Sequence, residues 1–459
     1  MLPDCITSHK MTNTRTIVIV LLMVLCIASY CSPYTLRRRL QNRSHQLLDS
    51  IGVHSKQFNP LQPVTNGVPQ YTDIDRNFRQ WFLMLRGSML NAGLNKITEL
   101  YGISRREGKM QAPIPSRVPF PCSLNNTRSR TPPTSVERLR PGDIDIVASI
   151  GDSLSAGNGI VSSNALDLIN EFRGLSFSGG GLGTWRTVLT LPNILKVFNP
   201  NLYGYATGHS LVVNHEISHL NIAEPMIMSH DLMYQARVLI DLMRRDPHVD
   251  LKRHWKLLTV FVGNNDICSD MCHWDDQEKV IERHARDLRE AFRLLRDNVP
   301  RLLINLVAVP DILATMGPIK DVPFDCFLVH RIACNCLLSD RLTASEAKQR
   351  HYMIQRWQQV DLQVARLPEF QREDFAIIGH PMVTNLSVPK LPNGNTDWRD
   401  FSHDCFHFSQ RAHASAASLL WKGMFLPDEQ KPRANILTQP FERFFCPSRE
   451  QPFFVVRPS

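Results

Sequence analysis

From residue 144 onward, short and nearly all-apolar runs alternate with longer stretches of helical spacing. "DIDIVASI" (143–150), "LNIA" (220–223), "KLLTVFVG" (256–263), "RLLINLVAV" (301–309) and "DFAIIGH" (374–380) predict β-strands. Between them, 229–246, 276–298, 342–366 and 409–425 predict helices. In 276–298, for example, Val280, Ala285, Leu288, Ala291 and Leu295 fall on one face. Strands that are apolar throughout need cover on both faces. Alternation with helices then predicts an α/β fold: a three-layer α/β/α sandwich with a parallel central sheet.

The first third of the chain lacks this order. The run "TIVIVLLMVLCIASY", Thr16–Tyr30, follows Lys10 and Arg15 and ends in small residues. It is short for a membrane span and matches the apolar part of a secretory signal, so 1–32 is expected to be a cleaved signal peptide. The basic flank "LRRRL" (36–40) keeps an uncleaved N-terminal anchor as the alternative. Residues 33–140 form a basic extension, with a helix expected over 77–102 and a Pro-rich extended strap over 112–143. The alternating strand and helix pattern occupies 141–430, and 431–459 is a C-terminal extension.

The net charge of +9 changes the picture only locally. Residues 33–140 hold 17 Lys and Arg against 6 Asp and Glu, and the chain from 141 is net acidic. That distribution suits a solvated basic segment or transient contact with a membrane surface. It gives no reason to expect nucleic acid or an obligate protein partner. Past the signal, eight cysteines remain: Cys122, Cys268, Cys272, Cys326, Cys334, Cys336, Cys405 and Cys446. An even number in an exported chain predicts up to four disulfides, with 105 possible pairings. Metal binding by Cys268-x-x-x-Cys272 and Cys334-x-Cys336 is the disfavoured rival. Asn42, Asn125 and Asn385 head glycosylation sequons.

In an open parallel sheet, chemistry gathers beyond the C-terminal strand ends. "GDSLSAGNG" (151–159), "EPMIMS" (224–229), "GNNDICSDMC" (263–272) and "HPMVTN" (380–385) occupy those places. Ser153 is a candidate nucleophile there. It needs a general base, an orienting carboxylate and oxyanion donors. "FSHDCFHFSQRAH" (401–413) offers Asp404 and His407, three residues apart on one face of a turn, with His403 and His413 as rival bases. Asn265 follows a strand and can offer its side-chain amide to an oxyanion. His209, His215, His219 and His230 match no ligand spacing. Phe172, Leu175 and Phe177 suit either a lipid entrance or the core.

Ser153 in Gly-Asp-Ser-Leu, Asn265 in Gly263-Asn264-Asn265-Asp266, and Asp404-x-x-His407 together resemble the GDSL, or SGNH, serine hydrolases. "EFRGLSFSGGG", "LTLPNILKVFNP" and "DCFHFSQRAH" narrow the resemblance to the phospholipase B branch. The resemblance implies hydrolysis of fatty acyl esters of phospholipids or related lipids, without cofactor or metal. It implies Ser153 as nucleophile, His407 as base and Asp404 as its orienter. The oxyanion would be held by the Ser153 N–H, the Asn265 amide and a third donor. At that third position the family has glycine after the second strand. Aligning Asn221, Ala223 and Asp231 puts Met226 there. A methionine adopts positive φ only at a cost, so a weakened or inactive lipid-binding relative is the second expectation. An esterase on acetylated glycans is the third. Gly179, Gly180, Gly181 and Gly183 are expected in a flexible loop near the site, not as replacement donors.

Overall fold

Strand β1 (Ile144–Gly151) is buried at every position but one, as expected of a strand covered on both faces. The structure, a computed structural model, describes residues 97–456 other than 340, 341, 436, 438–440, 442 and 443. The expected signal over 1–32, Asn42 and the start of the 77–102 helix lie outside the described residues. Helix α1 (Ile97–Arg106) contains the described end of that helix.

After β1 come the one-turn helix α2 (Ser153–Ala156), α3 (Leu191–Phe198), α4 (Leu232–Arg245) and β2 (Trp255–Phe261). Then follow α5 (Gln277–Asn298), β3 (Leu302–Val307), α6 (Ile312–Met316), α7 (Phe324–Ala333), α8 (Ala344–Ala365), β4 (Phe375–His380) and α9 (Gln410–Gly423). The sheet is parallel throughout, in the order β1-β2-β3-β4. Neighbouring residues of β4 separate the two covering layers, because successive side chains point to opposite faces. Gly379 lies against Leu362 and Ala365 of α8, and His380 lies against Gly423 of α9. α4, α5 and α8 pack side by side on the first face, and α3 packs on α9 on the second. The three-layer α/β/α sandwich is therefore present.

The expected strand at 220–223 is reduced to a parallel bridge, Ser149 to Asn221. Its hydrogen bonds nevertheless run along the free edge of β1: Ser149 N–H to Leu220, Ile222 N–H to Ser149 and Glu224 N–H to Gly151, each 3.0 Å. Consecutive segments thus leave β1 on opposite sides, which makes its C-terminal end the switch point where α/β sheets place their sites.

Several expectations change. Helices α3, α6 and α7 were not legible as helices. Gly179, Gly180 and Gly181 are buried in close packing and are not a flexible loop; a Cβ on Gly179 would lie 2.8 Å from Ser149 Cβ. Phe172, Leu175 and Phe177 are wholly buried, so they are core and not an entrance. The extensions pack onto the sandwich. Val136, Leu139, Phe454 and Val456 join its core, and Phe454 N–H donates to Leu139 at 3.0 Å.

All eight cysteines named above pair: Cys122–Cys446, Cys268–Cys334, Cys272–Cys336 and Cys326–Cys405. The sulfurs of the rival metal reading are thus bonded to one another. Among the described residues no helix is long and apolar enough to cross a membrane. Asn125 and Asn385 are exposed.

Candidate active site

Gly151 closes β1 at φ +133°, and a Cβ there would lie 2.0 Å from the Phe261 carbonyl oxygen. Only glycine lets β1 turn this tightly against β2. Gln235 of α4 fixes the turn from below, accepting from Gly151 N–H at 2.8 Å and donating to its carbonyl at 2.9 Å. Asp152 then caps α2, its Oδ1 accepting from Leu154 N–H at 3.0 Å. Ser153 becomes the first residue of the helix, with an N–H that has no intrahelical acceptor. It is 8% exposed, buried yet reachable.

The second limb comes from the turn before α9. Asp404 Oδ1 accepts from the N–H groups of Phe406 and His407, both at 3.0 Å. This leaves Oδ2 for His407 Nδ1–H, at 2.5 Å. His407 Nε2 faces Ser153 Oγ at 2.7 Å. Cys405 stands between them at φ +54° and is bonded to Cys326 of α7. Burial disfavours the His407 imidazolium. The charge and hydrogen bond of Asp404, with help from Asp152, outweigh that and hold His407 above its ordinary 6.5. Burial likewise disfavours the Asp404 anion, but His407 and two backbone N–H groups keep it below its ordinary value. The rival bases are occupied elsewhere. His403 pairs with Glu107 at 3.1 Å, and buried His413, pushed down to about 3 by desolvation, accepts from Phe177 N–H.

Two groups at the site escaped the sequence reading. Asp152 is fully buried beside Ser153, and desolvation pushes it up to about 6 despite hydrogen bonds from Asn264 and Leu154. Asn264 donates to Asp152 Oδ2 at 2.9 Å. The motifs Gly-Asp-Ser and Gly-Asn-Asn-Asp held both residues, but nothing in the spacing distinguished them from turn formers. Asn265 lies one residue on and donates to the Ile227 carbonyl at 2.8 Å. It is thereby brought to the segment carrying Met226, and Met226 stands at φ +64°. That is the left-handed region glycine would favour. Asn221, whose amide reaches the Ser155 carbonyl at 3.1 Å, ties the same segment to α2.

A small apolar cleft, open to solvent, is lined by Leu154 and Phe406, the chain neighbours of Ser153 and His407. Leu154, Ile312, Met316, Phe401, Phe406 and Phe408 form most of its wall, and Asn264 lies at its side. His209 meets Tyr101 at 3.1 Å, and His219 meets Tyr203 at 3.3 Å, so these histidines serve packing networks.

A parallel α/β/α sandwich with a hydrogen-bonded Ser–His–Asp array at the switch point defines a hydrolase-type scaffold. The family model for GDSL-like lipase/acylhydrolase matches residues 147–420, from β1 into α9. The chain belongs to the GDSL-like lipase/acylhydrolase family, on its phospholipase B-like branch. The mouse protein named membrane-associated phospholipase B1 is 37% identical over 338 residues, covering 71% of this chain and 22% of the mouse protein. The human protein of that name is 35% identical over 332 residues, covering 71% and 22%. The chain thus spans about a fifth of the length of these relatives.

Proposed function

We propose that this chain is a secreted serine hydrolase that cleaves fatty acyl esters of phospholipids or related lipids. The observation that carries this reading is Ser153 Oγ at 2.7 Å from His407 Nε2, beside an apolar cleft. In the proposed cycle His407 takes the Ser153 proton as Oγ bonds to the ester carbonyl carbon. The oxyanion accepts from the Ser153 and Met226 N–H groups and from the second amide hydrogen of Asn265, the first being held by Ile227. Collapse expels the alcohol, which leaves with the proton from His407. Water then repeats the sequence on the acyl-enzyme and releases the fatty acid. Four disulfides support export, since they persist in oxidising compartments.

A fluorophosphonate probe tests the assignment. Wild-type protein is expected to label once per chain and Ser153→Ala not at all; equal labelling of both would sink it. A weakened or inactive lipid-binding relative is the second reading, favoured by Met226 at φ +64°; an inactive one predicts no ester turnover above the Ser153→Ala control. An acetyl-glycan esterase fits less well, because the relatives of this chain lie on the phospholipase B-like branch. A panel of acetyl and long-acyl esters separates the two.

Contact with a lipid surface belongs to the same proposal. Phe324, Phe327 and Leu328 are 76%, 42% and 40% exposed on adjacent turns of α7. α7 is bonded through Cys326 to the Asp404–His407 turn, so a lipid seated on this face would lie near the cleft. Burying three such side chains by about 1 kcal/mol each amounts to about 10²-fold in partitioning. Phe324→Ser/Phe327→Ser/Leu328→Ser is expected to lose that much binding to phosphatidylcholine vesicles, by co-sedimentation. Hydrolysis of a short water-soluble ester should stay within about twofold, because α7 holds no proposed catalytic group.

A further inference from the structure

A second Ser–His–Asp chain lies under the site, and it is sealed from solvent. Ser229 Oγ is 2.7 Å from His284 Nδ1, and His284 Nε2 is 2.7 Å from Asp361 Oδ1. All three side chains are almost wholly buried, so no substrate reaches them. With Asp361 accepting from Nε2–H, Nδ1 accepts from the Ser229 hydroxyl. The imidazole stacks on Trp357 of α8, ring centres 3.9 Å apart.

The chain meets both limbs of the proposed oxyanion hole. Ser229 N–H donates to the Asp266 carboxylate, at 2.9 Å to Oδ2. Asn265 binds the Ile227 carbonyl. The 226–229 segment is thus laced to the 264–266 turn at two points. Trp357 supports the other limb: a Cβ on Gly263 would lie 2.6 Å from its Nε1. Within this frame stands Met226 in a left-handed conformation. Such a backbone is costly for a non-glycine residue and persists only where its surroundings hold it.

We propose that Ser229, His284 and Asp361 are positioning residues that clamp the 226–229 segment from the α5/α8 layer, holding Met226 left-handed so that its N–H and the Asn265 amide converge on one point. A glycine at 226 would adopt that conformation without a clamp. In this chain the buried triad stands in for the missing glycine. The inference rests on the ester-hydrolase reading for its kinetic consequence, but not for its conformational one.

The test is a double-mutant cycle on the full chain, using Ser229→Ala, Met226→Gly and both together. Ser229→Ala removes one hydroxyl and keeps the N–H bond to Asp266. Per site titrated with fluorophosphonate, its kcat on a short soluble ester should fall about 10- to 100-fold with KM within about threefold, the scale expected for a displaced oxyanion donor. In the Met226→Gly background the same substitution should cost less than about threefold. Hydrogen exchange across 224–229 should quicken at least about tenfold in Ser229→Ala and much less in the double variant. An unchanged exchange rate, or an equal exchange penalty in both backgrounds, would overturn the clamp. A wild-type chain without turnover would instead sink the hydrolase reading, and exchange would still decide the clamp.

Discussion

His407→Ala and Asp404→Asn are each expected to lower kcat by about 10⁴-fold while leaving the protein folded. The two losses have different origins. Without His407 no group within reach takes the Ser153 proton, since His403 and His413 are bonded elsewhere. Without the Asp404 anion the imidazole keeps its place but loses its tautomer, because an asparagine can present an N–H to Nδ1. The pH profile separates the proposed mechanism from mere disruption. The base must be neutral, and His407 is held above its ordinary 6.5, chiefly by Asp404 against the effect of burial. Wild-type kcat/KM should therefore rise with pH through a value above 6.5. In Asp404→Asn burial acts with its main opponent gone, so the residual activity should rise through a lower value. A limb that stays put would mean that another group titrates in the wild type.

The sheet and its main helices were legible because buried parallel strands leave a pattern no surface segment mimics. Four of the five nearly all-apolar runs became strands. The fifth, at 220–223, bonds along β1 but turns away at once to carry Met226. Ser153, Asp404 and His407 were legible as candidates from residue type and spacing, but His403 and His413 stayed as rival bases, and only the family resemblance singled out His407. The support beneath them was not. Gln235, Asn264, Ser229, His284 and Asp361 come from separate elements, and each is an ordinary polar residue in its own segment. Only the fold shows that His284 on α5 meets Asp361 on α8 at 2.7 Å. The 179–181 glycines misled for a related reason: a glycine required by close packing and one in a mobile loop look alike in sequence. Met226 was legible as a departure from the family, and its backbone angle gives that departure a physical cost.

Replacing both Cys326 and Cys405 by serine is expected to cost stability and activity together. The bridge spans 79 residues, and closing a loop of that length in the unfolded chain corresponds to about 4 kcal/mol. The local effect matters more for function. Cys405 sits at φ +54° between Asp404 and His407, in a turn otherwise held by Cys405 N–H to Ser402 and Ser402 N–H to His407. The bond to α7 fixes the one residue whose backbone reverses the chain there. Freed of it, the turn can relax toward ordinary angles and draw His407 away from Ser153. A displacement near 1 Å is worth about 10²-fold in rate. The control is Cys122→Ser/Cys446→Ser. That pair closes a longer loop, 324 residues apart, by joining the strap to the C-terminal extension. It should lose at least as much stability in denaturant titrations. Its kcat per fluorophosphonate-titrated site should stay within about twofold of wild type, because the His407 turn keeps its bridge. If instead both double variants retain full kcat per titrated site, the Cys326–Cys405 bond stabilises the fold without aligning the site. The turn would then be held by the Asp404 carboxylate with its two backbone N–H donors and by the backbone bonds of Cys405 and His407 to Ser402.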